Sequence, residues 1–236
     1  MFEQQSDLRY PTEDMQALWR YVTSERLLDL LTSEELYFTH VLAFSDGLEG
    51  SLTNRTRDRL LTWFKTQIKV DEAVAQELVR RYEEAQENFY VSCWHMNDFE
   101  SYLMWKAYAE RGFAVRTSYN RVQAAFDRFN GVVTGGVVEY VDFARHSTRV
   151  GHAFHMVLTK DLPYRDEREF RLILWALDSK NIQLRRASKG IRVPVDIGTL
   201  IDRVYVNPLN QSIPEDLLAL LERHKITIDT SKLVYR

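Results

Sequence analysis

The chain has 236 residues, with 31 Lys or Arg against 34 Asp or Glu, for a formal charge of −3. Its 45% hydrophobic content, with five Trp, twelve Tyr and twelve Phe, excludes a disordered chain, and nine Gly with five Pro exclude a collagen-like one. The single cysteine, Cys93, excludes an intramolecular disulfide and fits a reducing compartment, while the balanced charge excludes a blanket polyanion binder.

Residues 1–16 are polar, lack the apolar core of a secretory signal, and read as an N-terminal arm. LWRYVTS (18–24) reads as a strand, and Thr23 or Ser24 can cap the following helix, whose apolar face is Leu27, Leu28, Leu30 and Leu31. ELYFTH (35–40) is a second strand. Residues 54–88 carry helical periodicity (Val74, Leu78, Tyr82) and read as an inserted hairpin of two helices meeting near Val70, with Asp71 as a cap. FYVSCW (89–94) is a buried strand. Asn97, with Glu100 three residues on, predicts a helix start, and Gly112 a helix end. GFAVRTS (112–118) is a strand, and Ser118 can cap a helix with Val122, Ala125, Phe126 and Phe129 on its apolar face.

GGVVEYVDF (135–143) alternates as one strand, 150–160 reads as helix, and FRLILWAL (170–177) as a strand. Strands near 190–195 and 200–206, a helix over 214–224 and a closing strand over 226–235 follow. The longest apolar runs are too short to cross a bilayer as a helix, and a cytoplasmic protein without membrane contact is expected. Strands and helices mix without steady alternation, and neither GxGxxG nor GxxxxGK[ST] is present in a suitable context. A single α+β domain over 1–236, with a mostly antiparallel sheet flanked by helices, is the expected fold.

Four features can carry chemistry. In Glu167-Arg168-Glu169-Phe170-Arg171, strand alternation would put Glu167, Glu169 and Arg171 on one face. Two carboxylates beside an arginine can orient a sugar hydroxyl and stabilise a cationic transition state; an ordinary strand end looks the same. In Trp19-Arg20-Tyr21, the arginine can grip a phosphate and the tyrosine can stack on a ring, although an Arg on a half-buried strand also snorkels. Between Phe89 and Phe113, eight of 25 residues are aromatic, a composition that fills a core or walls a ligand. Within that block Ser92 and Cys93 face opposite ways, and Cys93 has no basic sequence neighbour to activate it. Finally, residues 179–195 hold Lys180, Arg185, Arg186, Lys189 and Arg192 without an acid, a patch that can meet nucleic acid or phosphates, or be a solvated hairpin. His152 and His155, with His146 nearby, lack a third ligand at recognisable metal spacing, so no metal is expected.

Three segments together resemble the bacterial family catalogued as domain of unknown function 2971. They are LWRYVTSERLLDLLTSEELYFTHVLAFSDGLEG (18–50), YVSCWHMNDFESYLMWKAYAERGFAV (90–115), and Lys160 followed by YRDEREFR (164–171). The loop FSDGLE (44–49) departs from that family's FNDPxE, and Ala107 stands where the family has His. The order Arg20, Ser92, Glu167-x-Glu169 further resembles the Arg-Ser-Glu subgroup of the ADP-ribosyltransferase fold. That resemblance implies a nicotinamide dinucleotide (NAD) as substrate and an ADP-ribosyltransferase or glycohydrolase activity. Arg20 would hold the diphosphate, Tyr21 would stack, Ser92 would orient the ribose, Glu169 would support the ribosyl cation and Glu167 would face the acceptor. A toxin or antiviral effector is the role such a fold suggests. The alternatives are a nucleic-acid-binding module using Arg185, Arg186, Lys189 and Arg192, or an interaction protein presenting the 54–88 hairpin.

Overall fold

Caps and alternating burial set most of the elements that the sequence predicts. The computed structural model describes all residues except 45, 150–152, 182, 185–188, 211 and 234–236. Strand β1 (Ala17–Val22) leads into helix α1 (Ser24–Ser33), where the Thr23 hydroxyl accepts from the Arg26 amide and Leu27, Leu30 and Leu31 are buried. Strand β2 (Glu35–His40) alternates, burying Leu36, Phe38 and His40. The insertion is α2 (Asn54–Trp63), a π turn at Phe64–Ile68, and α3 (Glu72–Glu84), capped by the Asp71 carboxylate on the Val74 amide at 2.9 Å. It leaves Trp63, Ile68 and Val74 exposed.

Strand β3 (Phe89–Met96) precedes helix α4 (Tyr102–Tyr108), strand β4 (Phe113–Ser118) and helix α5 (Tyr119–Ala124). Helix α4 starts five residues later than Asn97 suggests. The Asn97 side-chain amide closes a local turn onto the Phe99 carbonyl at 3.0 Å, and the Ser101 hydroxyl caps the helix. Ser118 sits at the start of α5 but makes no cap bond to the helix; its hydroxyl meets Asn120 Oδ1. The strand expected over 135–143 breaks at Val138, whose amide donates to the Glu169 carbonyl, giving β5 (Thr134–Val137) and β6 (Glu139–Val141) with different partners.

Of the helix expected over 150–160, only α6 (Phe154–Val157) is helical; β7 (Thr159–Asp161) pairs in parallel with β6, and residues 150–152 lie outside the described residues. A 3₁₀ turn (Leu162–Glu167) then enters β8 (Glu169–Trp175). The chain closes with β9 (Gly190–Pro194), α7 (Ile197–Leu200), β10 (Arg203–Val206), α8 (Glu215–Arg223) and β11 (Thr227–Thr230).

The fold is α+β; among the described residues the sheet has nine strands, mostly antiparallel, and only β10 and β11 pair in parallel within it. Its branch point is β3. One edge of β3 pairs with β8 from Phe89 to His95. The other edge is shared: β2 holds Tyr90 and Val91, and β1 holds His95 and Met96. Opposite residues 92–94 no strand is registered among the described residues, so the sheet is split there.

One large core lies on the sheet face of Leu18, Tyr90, Trp94, Phe170 and Leu172; a second, around Phe89, Val91, Phe154 and Ile173, lies on the other face. Phe89, Tyr90, Trp94, Trp105 and Phe113 of the aromatic block are buried, whereas Phe99, Tyr102 and Tyr108 are exposed. The N-terminal arm runs along β5. Phe2 bridges Val133, the Arg9 carbonyl accepts from Val137 at 2.8 Å, and Leu8 joins the second core. Lying there, the arm covers an edge that would otherwise offer unpaired backbone groups. Among the described residues no helix is long and apolar enough to cross a membrane.

Candidate active site

The split in the sheet opens into a cleft of about 280 Å³. Register dictates what faces it. Cys93 pairs with Arg171 and His95 with Glu169, so these four side chains share one sheet face, with Trp19 opposite His95 on β1. Arg20 starts on the opposite face. Its guanidinium lies where β1, β2 and β3 part, donating to the Ser92 hydroxyl at 2.5 Å and to the Tyr37 carbonyl at 3.3 Å, 5.7 Å from the Trp94 ring. Among the described residues no carboxylate pairs with Arg20. Burial pulls its pKa down to about 10, so at neutral pH it remains a cation. Arg26 lines the cleft beside it.

The acidic wall is a buried ion cluster. Glu167 does not sit in the strand: it ends the 3₁₀ turn, Arg168 takes a left-handed φ of 42°, and β8 begins at Glu169. That kink turns Glu167 toward Lys160. Lys160 Nζ contacts Glu167 Oε2 at 2.5 Å, Glu169 Oε1 at 2.8 Å and Glu49 Oε1 at 3.1 Å. Arg171 Nε donates to Glu169 Oε2 at 2.6 Å, and its two Nη atoms take both oxygens of Glu49 at 2.8 and 3.0 Å. Tyr108, from α4, donates its hydroxyl to Glu167 Oε1 at 3.0 Å, and the Lys160 ammonium lies 4.6 Å from the Tyr164 ring centroid.

These contacts divide the two carboxylates. Burial works against the charge on Glu169, but the Arg171 guanidinium, a hydrogen bond from Glu167 and then Lys160 outweigh it and hold the carboxyl well below the usual range. Burial, with the neighbouring Glu169 charge, pushes Glu167 up. A proton on Glu167 would leave two carboxylates facing two cations, a balanced cluster. Environments that push paired carboxylates apart assign one to hold a proton and the other to stay ionised. Burial also raises the Cys93 thiol, with Glu169 adding to the effect.

Of the residues predicted from sequence, Arg20, Tyr21, Glu167 and Glu169 line this one cleft. Ser92 contacts Arg20 but does not reach the cleft; it is 1% exposed, its hydroxyl behind the guanidinium. Tyr21 presents only an edge, for its ring packs edge-to-face with Trp105 and its hydroxyl accepts from the Ser101 amide at 2.7 Å. Glu49, Lys160, Tyr108 and His95 were not singled out as site residues. Their signal is position: Glu49 lies in segment 18–50, His95 and Tyr108 in 90–115, and Lys160 precedes 164–171, and residues of all three line the cleft.

The basic stretch fares differently. Arg185 and Arg186 lie outside the described residues, Lys180 pairs with Glu3 at 2.7 Å, Arg192 pairs with Asp29 at 2.8 Å on the edge strand β9, and Lys189 adjoins that strand. His152 also lies outside the described residues, and among those described no group of three or more His, Cys, Asp or Glu is placed to hold a metal ion. A larger hollow of about 610 Å³, lined by Glu34, Arg128 and Arg223 among others, is open and walled by solvated charges. Comparison with protein-family models, curated proteins and solved structures found no match to this chain.

Proposed function

We propose that the cleft binds a nicotinamide dinucleotide and breaks its N-glycosidic bond, as an ADP-ribosyltransferase or glycohydrolase does. The observation that carries this reading is the cleft's polarity. A half-buried cation with no carboxylate partner among the described residues, Arg20, stands at one wall, and the Glu167–Glu169 pair at the other. A dinucleotide has the matching polarity, with an anionic diphosphate and a ribose whose C1′ becomes cationic as nicotinamide leaves. Arg20, steadied by Ser92 and joined by Arg26, grips the diphosphate. Glu169, ionised and held in place, stabilises the oxocarbenium-like centre electrostatically. Glu167 faces the acceptor. At about 280 Å³ the cleft is at the small end of ligand sites, which run from ~300 to ~1,000 Å³, and it suits the reacting half of the dinucleotide.

The test is incubation with radiolabelled dinucleotide, with and without cell lysate, following free nicotinamide and labelled protein. Wild type should release nicotinamide, and Glu167→Gln and Glu169→Gln should not. Because Glu169 is bound into the ion cluster, Glu167→Gln, nearer the mouth, is the cleaner variant. No release by the wild type under any condition overturns the reading.

A further inference from the structure

Three buried side-chain polar atoms with no hydrogen-bond partner among the described residues belong to residues lining the same cleft: Asp46 Oδ2, Trp94 Nε1 and His95 Nε2. An unmet buried polar atom costs about 1–3 kcal/mol, so their gathering at one cleft points to groups supplied by a ligand. His95 is the most constrained of the three. It is 3% exposed, and its Nδ1 lies 2.6 Å from the Glu167 carbonyl oxygen. A carbonyl only accepts, so Nδ1 carries the hydrogen; in the neutral ring Nε2 is then a bare lone pair.

Glu167 and Glu169 have no such freedom. Glu169 has one oxygen on Lys160 and the other on Arg171, while Glu167 has one on Lys160 and the other under the Tyr108 hydroxyl. We propose that His95 Nε2 is the general base of the cleft, taking the proton from the water or hydroxyl that attacks the ribose. The inference rests on the glycosidic reading above. In that step the C1′–N bond breaks and its electron pair leaves with neutral nicotinamide. The attacking oxygen bonds to C1′, and its proton passes to Nε2 and then to solvent.

Glu167 then has two parts in the reaction, for its carboxyl faces the acceptor while its backbone carbonyl sets the tautomer of the base. The titratable groups packed around the ring are Tyr21 on β1, Glu167 and Arg168 in the turn, and Glu169 on β8. Burial lowers His95 below the ordinary 6.5, which favours the neutral, proton-accepting form.

Two measurements test this. Long-range nitrogen–proton NMR of the folded protein at neutral pH should show His95 protonated at Nδ1 and bare at Nε2; an Nε2–H tautomer or an imidazolium overturns the proposal whatever the kinetics. In the dinucleotide assay, His95→Gln should lower kcat by about 100-fold or more, in the usual range for a general base, leave KM within a few fold, and remove the acid limb of the pH profile. Unchanged kcat, or an acid limb that survives in His95→Gln and disappears in Asp46→Asn, overturns the proposal while leaving the glycosidic reading standing. Absence of turnover by the wild type removes that reading, and this inference with it.

Discussion

Arg171 and Glu49, 122 residues apart, meet in a two-pronged ion pair almost entirely out of water, with side-chain exposures of 1% and 2%. The pair joins β8 to the loop after β2 and closes the back of the cleft. Removing one partner strands the other charge in a low-dielectric interior. Glu49→Gln should therefore cost about 3 kcal/mol or more, read as a lower urea midpoint with an unchanged slope at pH 7. The double change Glu49→Leu with Arg171→Met should cost less than the two single changes added together. A midpoint for Glu49→Gln equal to that of wild type would show that the pair does not support the fold.

Glu167 and Glu169 give opposite pH dependences. Glu169 is depressed in the fold, so its contribution to stability is complete above the ordinary value of 4.5 and is lost as the pH falls toward its folded value. Glu167 is raised, so its contribution is complete below 4.5 and is lost as the pH rises through its folded value. Denaturation across acid and neutral pH should show stability falling below about 4.5 in the wild type. In Glu167→Gln the loss on the neutral side should be absent while the acid loss remains.

Among the described residues Arg20 has no carboxylate partner, which makes its charge more useful to a ligand than to the fold. Arg20→Met should change folding stability by less than about 2 kcal/mol, because a desolvated cation is lost together with a hydrogen bond to Ser92. Affinity for ADP-ribose, read by calorimetry at pH 7, should fall by about tenfold or more, equal to about 1.4 kcal/mol. Equal affinity in both proteins would remove Arg20 from the phosphate contact.

Cys93 lines the cleft, but its thiol is held in the protonated form by burial and by Glu169. At pH 8 iodoacetamide should modify it at least about tenfold more slowly in the folded protein than in urea, since the thiolate is the reacting species. Equal rates would place a reactive thiolate in the cleft.

Local chemistry was easy to read where neighbours in sequence decide it. Thr23 and Asp71 cap the helices their positions suggest, and β2 spans the residues whose strand-forming side chains predict it. Legibility failed where a side chain had a competing local partner. Asn97 bonds to Phe99 and delays α4. Over 135–143 the cause is distant: Val138 still bonds in register to Glu169 of β8, but the Glu139 amide turns to the Leu158 carbonyl and the strand changes partner. Gly112 reads as a helix stop, yet what requires glycine is distant: a Cβ there would lie 2.2 Å from the Val22 carbonyl oxygen. Glu167 was singled out from a strand pattern it does not obey; it faces Lys160 because Arg168 turns left-handed before β8 starts.

By itself the sequence determined the α+β mixture and most of the strands, because caps, alternation and helical spacing act over a few residues. Tertiary structure alone decided which charges are paired. It put Arg20 on Ser92, sealed that hydroxyl from the cleft and joined Glu49 and Lys160 to Glu169 and Arg171; among the described residues it left Arg20 without a carboxylate and His95 Nε2 without a partner. The near-neutral charge of the chain concealed this separation, since Coulomb and desolvation energies depend on distance and burial rather than on composition.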